Sequence, residues 1–231
     1  MWLGTAVSSL AVTLAVVDVA HSASIDRGVH AELAVDAGWS HSHNEGDIQV
    51  YRKTIPSLGT TAWKGITTLP ANVSSARLFA LLGDNEAHKN YNSALVESVV
   101  MDRSGGVTTF YQVVKPPAYV PLSDRFWVCR AINERDADGT PGHLRRMWSS
   151  VPITEPVAIR EKLESRYPDA LEVPYSHGSW DLEPMPDGTT RLTYKVVSDP
   201  GGGVPKALAA RFAGRSVANN ITVMVQAVSG K

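Results

Sequence analysis

The sequence predicts an α+β domain in which one curved antiparallel sheet wraps around a long C-terminal helix. Between residues 93 and 199, six strand patterns follow one another and are separated by turn clusters rich in Gly, Asp and Pro. Apolar residues then recur at helical spacing over 203–229. The first of the six strands is apolar on both faces, with Val99 on one and Val100 on the other. Each face of the sheet therefore needs an apolar cover, and a sheet curved around the terminal helix provides one.

Two strands and one helix are expected before this run. The segments 46–55 and 61–70 alternate as strands do, and the turn residues PSLGT lie between them. The segment 71–92 predicts a helix. Its candidate N-caps are Asn72 and Ser74, and its candidate stop is Gly83. A short polar lead-in with helical character is expected still earlier, over 29–38.

The six strands should pair in succession as a meander, because only turn signals separate most of them. A connection containing a short helix around 158–166 is expected over 153–170. The strands are expected at 94–103, 107–114, 124–133, 144–152, 178–184 and 189–198.

Composition favours one globular domain and argues against nucleic acid as a partner. The chain has 231 residues, of which 43% are hydrophobic, and a formal net charge of −1. A nucleic-acid backbone usually demands a basic surface, which this chain lacks. Cys129 has no second cysteine to pair with, so an internal disulfide is excluded.

The first 23 residues predict a signal peptide. They contain an apolar run of the length of a signal-peptide core, followed by Ala20 and Ser22 at the small-residue positions of a cleavage site. The mature domain would then span 24–231 and be periplasmic or secreted. An uncleaved membrane anchor or a buried first helix is the alternative, because no Lys or Arg precedes the apolar run and Asp18 interrupts its end.

Four segments in order resemble the START (steroidogenic acute regulatory-related lipid transfer) domain family, over essentially the whole mature chain. The family's strand with Trp and Val-Tyr-Arg is similar to the first of them, and its Pro-Gly-Gly entry to the last helix is similar to the fourth. The four segments are GWSHSHNEGDIQVYRKT (38–54), HKNYN (88–92), FYQVVKPPAYVPLSDRFWVCRA (110–131) and SDPGGGVPKALAARF (198–212).

The resemblance implies a helix-grip fold with a hydrophobic cavity that holds one lipid. It implies non-enzymatic carriage of that lipid, transient contact with a membrane surface, a monomer and no cofactor. Sterol, hopanoid, phospholipid, fatty acid and carotenoid remain open as ligands, since apolar walls discriminate poorly among them.

Two polar residues are expected near the ligand. In sterol-binding relatives an arginine at the position matching Arg130 pairs with an acid inside the cavity, and the position matching that acid is Gln112 here. We therefore expect Arg130 to point inward, with a ligand carboxylate, a phosphate or a water completing its contacts. The further candidate lining residues, which could equally be ordinary core, are Leu192, Tyr194, Val217, Asn220, Ile221 and Met224.

Two segments are candidates for a gate through which the lipid enters and leaves. One is the loop 115–119 and the other is the glycine run before the last helix; a simple turn is the alternative for the glycine run. The candidate gate residues are Pro116, Pro117, Tyr119, Gly201, Gly202 and Gly203.

Catalytic and metal sites find little support in the sequence. His41 and His43 lack a third ligand at suitable spacing, so a solvated loop is expected there and no metal. Cys129 is expected to be a buried strand residue rather than a nucleophile. A polyketide cyclase or aromatase-like enzyme, with Arg130 and Tyr194 polarising the substrate, is the second hypothesis. A lipid-sensing domain that binds a protein partner is the third.

Overall fold

A single antiparallel sheet organises the chain. The computed structural model describes residues 25–116, 122–151, 157–204 and 206–229. Within them the strand order is β1-β2-β3-β10-β9-β7-β6-β5-β4, and the short β8 pairs in parallel with β6. The strands are β1 (Ser40–Glu45), β2 (Ile48–Ile55), β3 (Thr60–Thr68), β4 (Leu95–Ser104), β5 (Val107–Val114), β6 (Arg125–Arg135), β7 (Leu144–Val151), β8 (Leu171–Glu172), β9 (Tyr175–Pro184) and β10 (Thr190–Asp199).

Helices cover both faces of this sheet. They are α1 (Arg27–Ala34), α2 (Ser75–Gly83), α3 (Val157–Arg166) and the long C-terminal α4 (Lys206–Ser229). A 3₁₀ turn (Asn85–Asn90) follows α2 directly. Ser74 caps α2, since its side chain accepts a hydrogen bond from the Arg77 amide.

The meander and the terminal helix confirm the predicted α+β architecture. β4, β5, β6, β7, β9 and β10 are neighbours in the sheet in the order of the sequence. One expectation needs correction. The segment around His41 and His43 is the edge strand β1 and not a loop, and its polar side chains gave no apolar signal. The short helix expected around 158–166 is confirmed as α3 (Val157–Arg166), and its Leu163 packs on the sheet.

The outer face of the sheet carries two apolar clusters, each closed by a short helix. Val29 and Leu33 of α1 pack on β2, β3 and β10. Leu163 of α3 packs on Tyr111 and Phe126 of the meander. These two helices supply the apolar cover that strands with two apolar faces require.

The terminal helix packs on the opposite, inner face. It lies mainly against β2, β3, β10 and α2. The approach is close because Gly65 of β3 has no side chain: a Cβ there would lie 2.6 Å from Ile221 Cδ1 and 2.7 Å from Val217 Cγ1. Gly214 of α4 likewise makes room for Trp63, since its Cβ would lie 2.8 Å from Trp63 Cζ3.

None of the described helices has the length and apolar character needed to span a membrane. The predicted signal peptide lies outside the described residues.

We expect Gly65→Ala to lower the free energy of unfolding by about 1–3 kcal/mol, because the added methyl group overpacks the contact with α4. Gly28→Ala in α1 is the matched control. Its Cβ would meet only Asp26 Oδ1, at 3.4 Å, and alanine favours a helix by about 0.5–1 kcal/mol over glycine. Urea unfolding followed by circular dichroism measures both, and equal stabilities of the two variants would contradict the close approach.

Stability should also fall in mild acid because of His30. This residue of α1 is buried against β7, with Nε2 lying 3.1 Å from the Trp148 carbonyl oxygen and 3.2 Å from Ser149 Oγ. Burial lowers the pKa of His30 to about 4 from its ordinary value of 6.5. The unfolded chain therefore takes up the proton first as the pH falls. The contribution of His30 is fully present above about pH 6.5, is lost between 6.5 and 4, and amounts to about 3 kcal/mol.

The measurement is the urea midpoint at pH 7, 5.5 and 4.5. Wild type should lose more stability over this range than His30→Gln, which keeps a hydrogen-bond donor but does not titrate. Parallel losses in the two proteins would show that His30 is not the cause.

Candidate functional site

The inner face of β4–β7 carries an aromatic surface beside the helix. Its side chains are opposite one another in the register of the strands, as in the pairs Phe110 with Cys129 and Ala131 with Trp148. Phe110, Cys129 and Ala131 are buried, whereas Val100, Trp127 and Trp148 remain half-buried. The described side chains of α4 join a different cluster, and Trp148 also packs against that one.

Trp148 connects this surface to the core beneath α4. Its ring stacks on Tyr194 at 5.9 Å between centroids, and Tyr194 stacks on Trp180 at 4.1 Å. The Asn220 amide of α4 donates to the Tyr194 hydroxyl at 3.4 Å. Burial raises the pKa of Tyr194 to about 12, so the hydroxyl stays neutral.

The lining residues proposed from the sequence on β10 and α4 lie together in or against this core. Leu192, Val217 and Ile221 are almost fully buried in the helix–sheet contact, which is the ordinary-core alternative. Tyr194 and Met224 belong to the same cluster, and Asn220 is joined to it through Tyr194. Contact of any of them with a ligand stays a prediction.

Gln112 points to the inner face, where it belongs to a hydrogen-bonded row of side chains. Its amide accepts from Trp127 Nε1 at 3.2 Å and donates to Ser98 Oγ at 3.1 Å. Ser98 Oγ in turn donates to the Asn85 carbonyl oxygen at 2.6 Å. Arg146 extends this row by donating to the side chains of Asn85 and Asn133. We call the six residues the polar chain: Asn85, Ser98, Gln112, Trp127, Asn133 and Arg146.

Arg130 does not join Gln112, and the expectation that it points inward is wrong. Arg130 is exposed and lies on the outer face, whereas its neighbours Cys129 and Ala131 face inward. Gln112 pairs with Trp127 in the register, and Arg130 with Thr109. Successive residues of a strand alternate between faces, so an odd separation of three residues from Trp127 places Arg130 on the other side.

The buried arginine of the inner face is Arg146 of β7. Its side chain is 3% exposed. Nη1 donates to Asn133 Oδ1 and Nη2 to Asn85 Oδ1, both at 2.7 Å, and the guanidinium lies 5.9 Å from the centre of the Phe110 ring. The sequence analysis did not identify Arg146 as a candidate. The alternation of Leu144, Arg146 and Trp148 in β7 was the signal that could have found it.

One of the two candidate gate segments is held by a side chain. Buried Arg125, the first residue of β6, donates from Nε to the Pro200 carbonyl oxygen at 2.5 Å and from Nη1 to the Ser123 carbonyl oxygen at 2.6 Å. It thereby joins the chain entering the glycine run to the start of β6.

The glycine run itself has a backbone conformation that favours glycine. Gly201, Gly202 and Gly203 all have φ between +66° and +68°. A Cβ on Gly202 would also lie 2.6 Å from Leu171 Cδ1. Pro116 is half-buried at the end of β5, while Pro117 and Tyr119 lie outside the described residues.

The histidines of β1 and Cys129 of β6, considered above as reactive side chains, lie on strands far apart in the sheet. His41 and His43 contact Asn44 and Ser42 on exposed β1, and no three His, Cys, Asp or Glu side chains are grouped for a metal in the described part of the chain. Cys129 is fully buried in β6, as predicted, and burial raises the pKa of its thiol.

Comparison with known proteins identifies the fold. No protein-family model matches the chain. In sequence it is similar to an uncharacterized protein of Pseudomonas aeruginosa, 28% identical over 180 residues that make up 78% of this chain and 81% of that protein. In structure it is similar to human StAR-related lipid transfer protein 5, with a TM-score of 0.73 and 13% identity over 95% of this chain and 98% of that one. The chain has a START-like fold.

A bacterial structure agrees with this assignment. The STAR-related lipid transfer protein from Xanthomonas axonopodis matches with a TM-score of 0.67 and 20% identity, over 83% of this chain and 98% of that chain. The helix-grip architecture predicted from the sequence is thereby confirmed. In this START-like fold the inner face of β4–β7, with its aromatic surface and polar chain, is the candidate ligand site.

Proposed function

We propose that this START-like protein binds one lipid against the inner face of β4–β7 and carries it between membranes. The observation that carries the proposal is the half-buried Trp127 and Trp148 on a face that otherwise belongs to the interior. Apolar surface contributes about 25 cal/mol per Å² when it leaves water, so a hydrocarbon chain lying on these rings gains most of its affinity there. The names of the structural relatives, which are lipid transfer proteins, support the same conclusion.

The polar chain gives such a site its orientation. Ligand pockets are mostly apolar and contain a few polar groups that fix how the ligand lies. Gln112, Ser98 and Asn85 provide such groups at one side of the aromatic surface. Transport through a periplasmic or extracellular space remains part of the proposal and rests on the predicted signal peptide alone.

Native mass spectrometry of the protein purified without detergent tests this function. We expect a mass increase corresponding to one lipid, which extraction then identifies. Ala131→Phe, which fills the inner face, should lower the bound fraction several-fold because Phe takes space that the lipid would occupy. Arg130→Met, one residue away on the outer face, is the matched control and should leave it unchanged. A protein that stays free of lipid after incubation with membrane vesicles would contradict the proposal.

Arg125 should control how fast the lipid exchanges. Its hydrogen bond to the Pro200 carbonyl oxygen holds the start of the glycine run against β6, so removing it should free the glycine run to open. We expect Arg125→Met to increase the rate of transfer of a fluorescent lipid between donor and acceptor vesicles several-fold. Arg125→Lys keeps the charge but loses part of the fork of donors and should lie between the two. An unchanged or slower rate in Arg125→Met would show that the glycine run is a fixed turn.

A further inference from the structure

Two adjacent arginines of β7 have opposite surroundings. Arg145 points to the outer face, where Nε donates to Asp181 Oδ1 at 2.6 Å and Nη1 to Asp138 Oδ1 at 2.9 Å. These carboxylates neutralise it and raise its pKa. Arg146 points to the inner face and is more deeply buried, yet both of its acceptors are neutral amide oxygens.

The charge of Arg146 has no counter-ion within the described residues. No carboxylate of the described residues lies within ion-pair distance of its guanidinium. The guanidinium has five N–H donors, and within the described residues it donates to two acceptors, the side-chain oxygens of Asn133 and Asn85. Burial lowers the pKa of Arg146 to about 10, which still leaves it charged at neutral pH. A buried charge without a partner is strongly unfavourable, so a group that neutralises it is favoured in return.

The surroundings of Arg146 show which molecule would bring that group. Phe110 lies beside the guanidinium, and Trp148 follows two residues later on the same face of β7. The charge therefore lies next to a partly exposed aromatic surface. A ligand that satisfies both has an anionic oxygen group at one end and a hydrocarbon chain at the other.

We propose that Arg146, held by Asn85 and Asn133, binds the carboxylate or phosphate of an anionic lipid whose hydrocarbon lies on Trp127 and Trp148. The guanidinium fork suits either group, because both accept two parallel hydrogen bonds. The inference rests on the proposed lipid binding and adds the chemical class of the ligand. A fatty acid and an acidic phospholipid are the two sources of such a group.

The test compares three probes with the same sixteen-carbon chain: palmitate, hexadecyl phosphate and hexadecanol. Binding to the delipidated full chain is followed by tryptophan fluorescence. We expect wild type to bind palmitate or hexadecyl phosphate roughly tenfold or more tightly than hexadecanol. The tighter of the two anions identifies a carboxylate or a phosphate as the preferred head group.

Three variants assign the preference to the guanidinium. Arg146→Met should abolish the preference while hexadecanol binding is kept, and Arg130→Met should change neither. Asn85→Asp places a carboxylate where the amide oxygen now contacts Nη2. It should raise the unfolding midpoint by pairing with Arg146 and should remove the anion preference by supplying the counter-ion internally. This variant keeps the test decisive if Arg146→Met does not fold.

The possible outcomes separate the inference from the function on which it rests. Equal binding of all three probes by wild type, or a preference that survives in Arg146→Met or Asn85→Asp, overturns the role of Arg146 and leaves lipid binding intact. Failure of wild type to bind any of the three probes, hexadecanol included, counts against the proposed function itself.

Discussion

The close packing of α4 on β3 is the constraint on which the rest of the structure depends. Gly65 on the strand and Gly214 on the helix remove the side chains that would hold the two elements apart, and Trp63 fills the space beside them. Because the helix lies this close, its described side chains fill only the half of the inner face formed by β2, β3, β9 and β10. The half formed by β4–β7 receives no comparable cover from them. The half-buried Trp127 and Trp148 are the apolar area of this half on which the proposed lipid would lie.

Glu97 on the outer face and Arg146 on the inner face have contrasting surroundings. On the outer face Glu97 accepts hydrogen bonds from Tyr111 and Tyr167 and pairs with Arg166, and these contacts outweigh burial in lowering its pKa. The charge of Glu97 is thus balanced within the chain. On the inner face the arginine of the polar chain is surrounded by amides. An arginine with neutral partners is suited to bind an anionic group, whereas a carboxylate that is already paired within the chain is not.

The sequence predicted the architecture better than the site, and the reason is geometric. Apolar periodicity and turn residues are local signals, so the meander, α2 and the terminal helix were visible. The strand β1 was not, because SHSHNE pairs at an exposed edge and needs no apolar face. Side-chain direction is harder to predict from the sequence, since a shift of one residue in the strand register moves a side chain to the other face. Arg130 and Arg146 both lie in apolar strands. Only the register relative to Trp127 and Trp148 separates the exposed arginine from the buried one, and motif resemblance carries no information on that register.

The sheet begins at β1 and ends at β4, and these two edges do not pair with one another in the described structure. In a closed barrel the width of the interior is set by the number of strands and their stagger, so enlarging it means rebuilding the hydrogen-bond register throughout. In this open sheet the interior is bounded on one side by a helix. Its width therefore depends on the side chains between α4 and β3. Small substitutions at that seam can resize the interior for bulkier molecules while every strand keeps its partner.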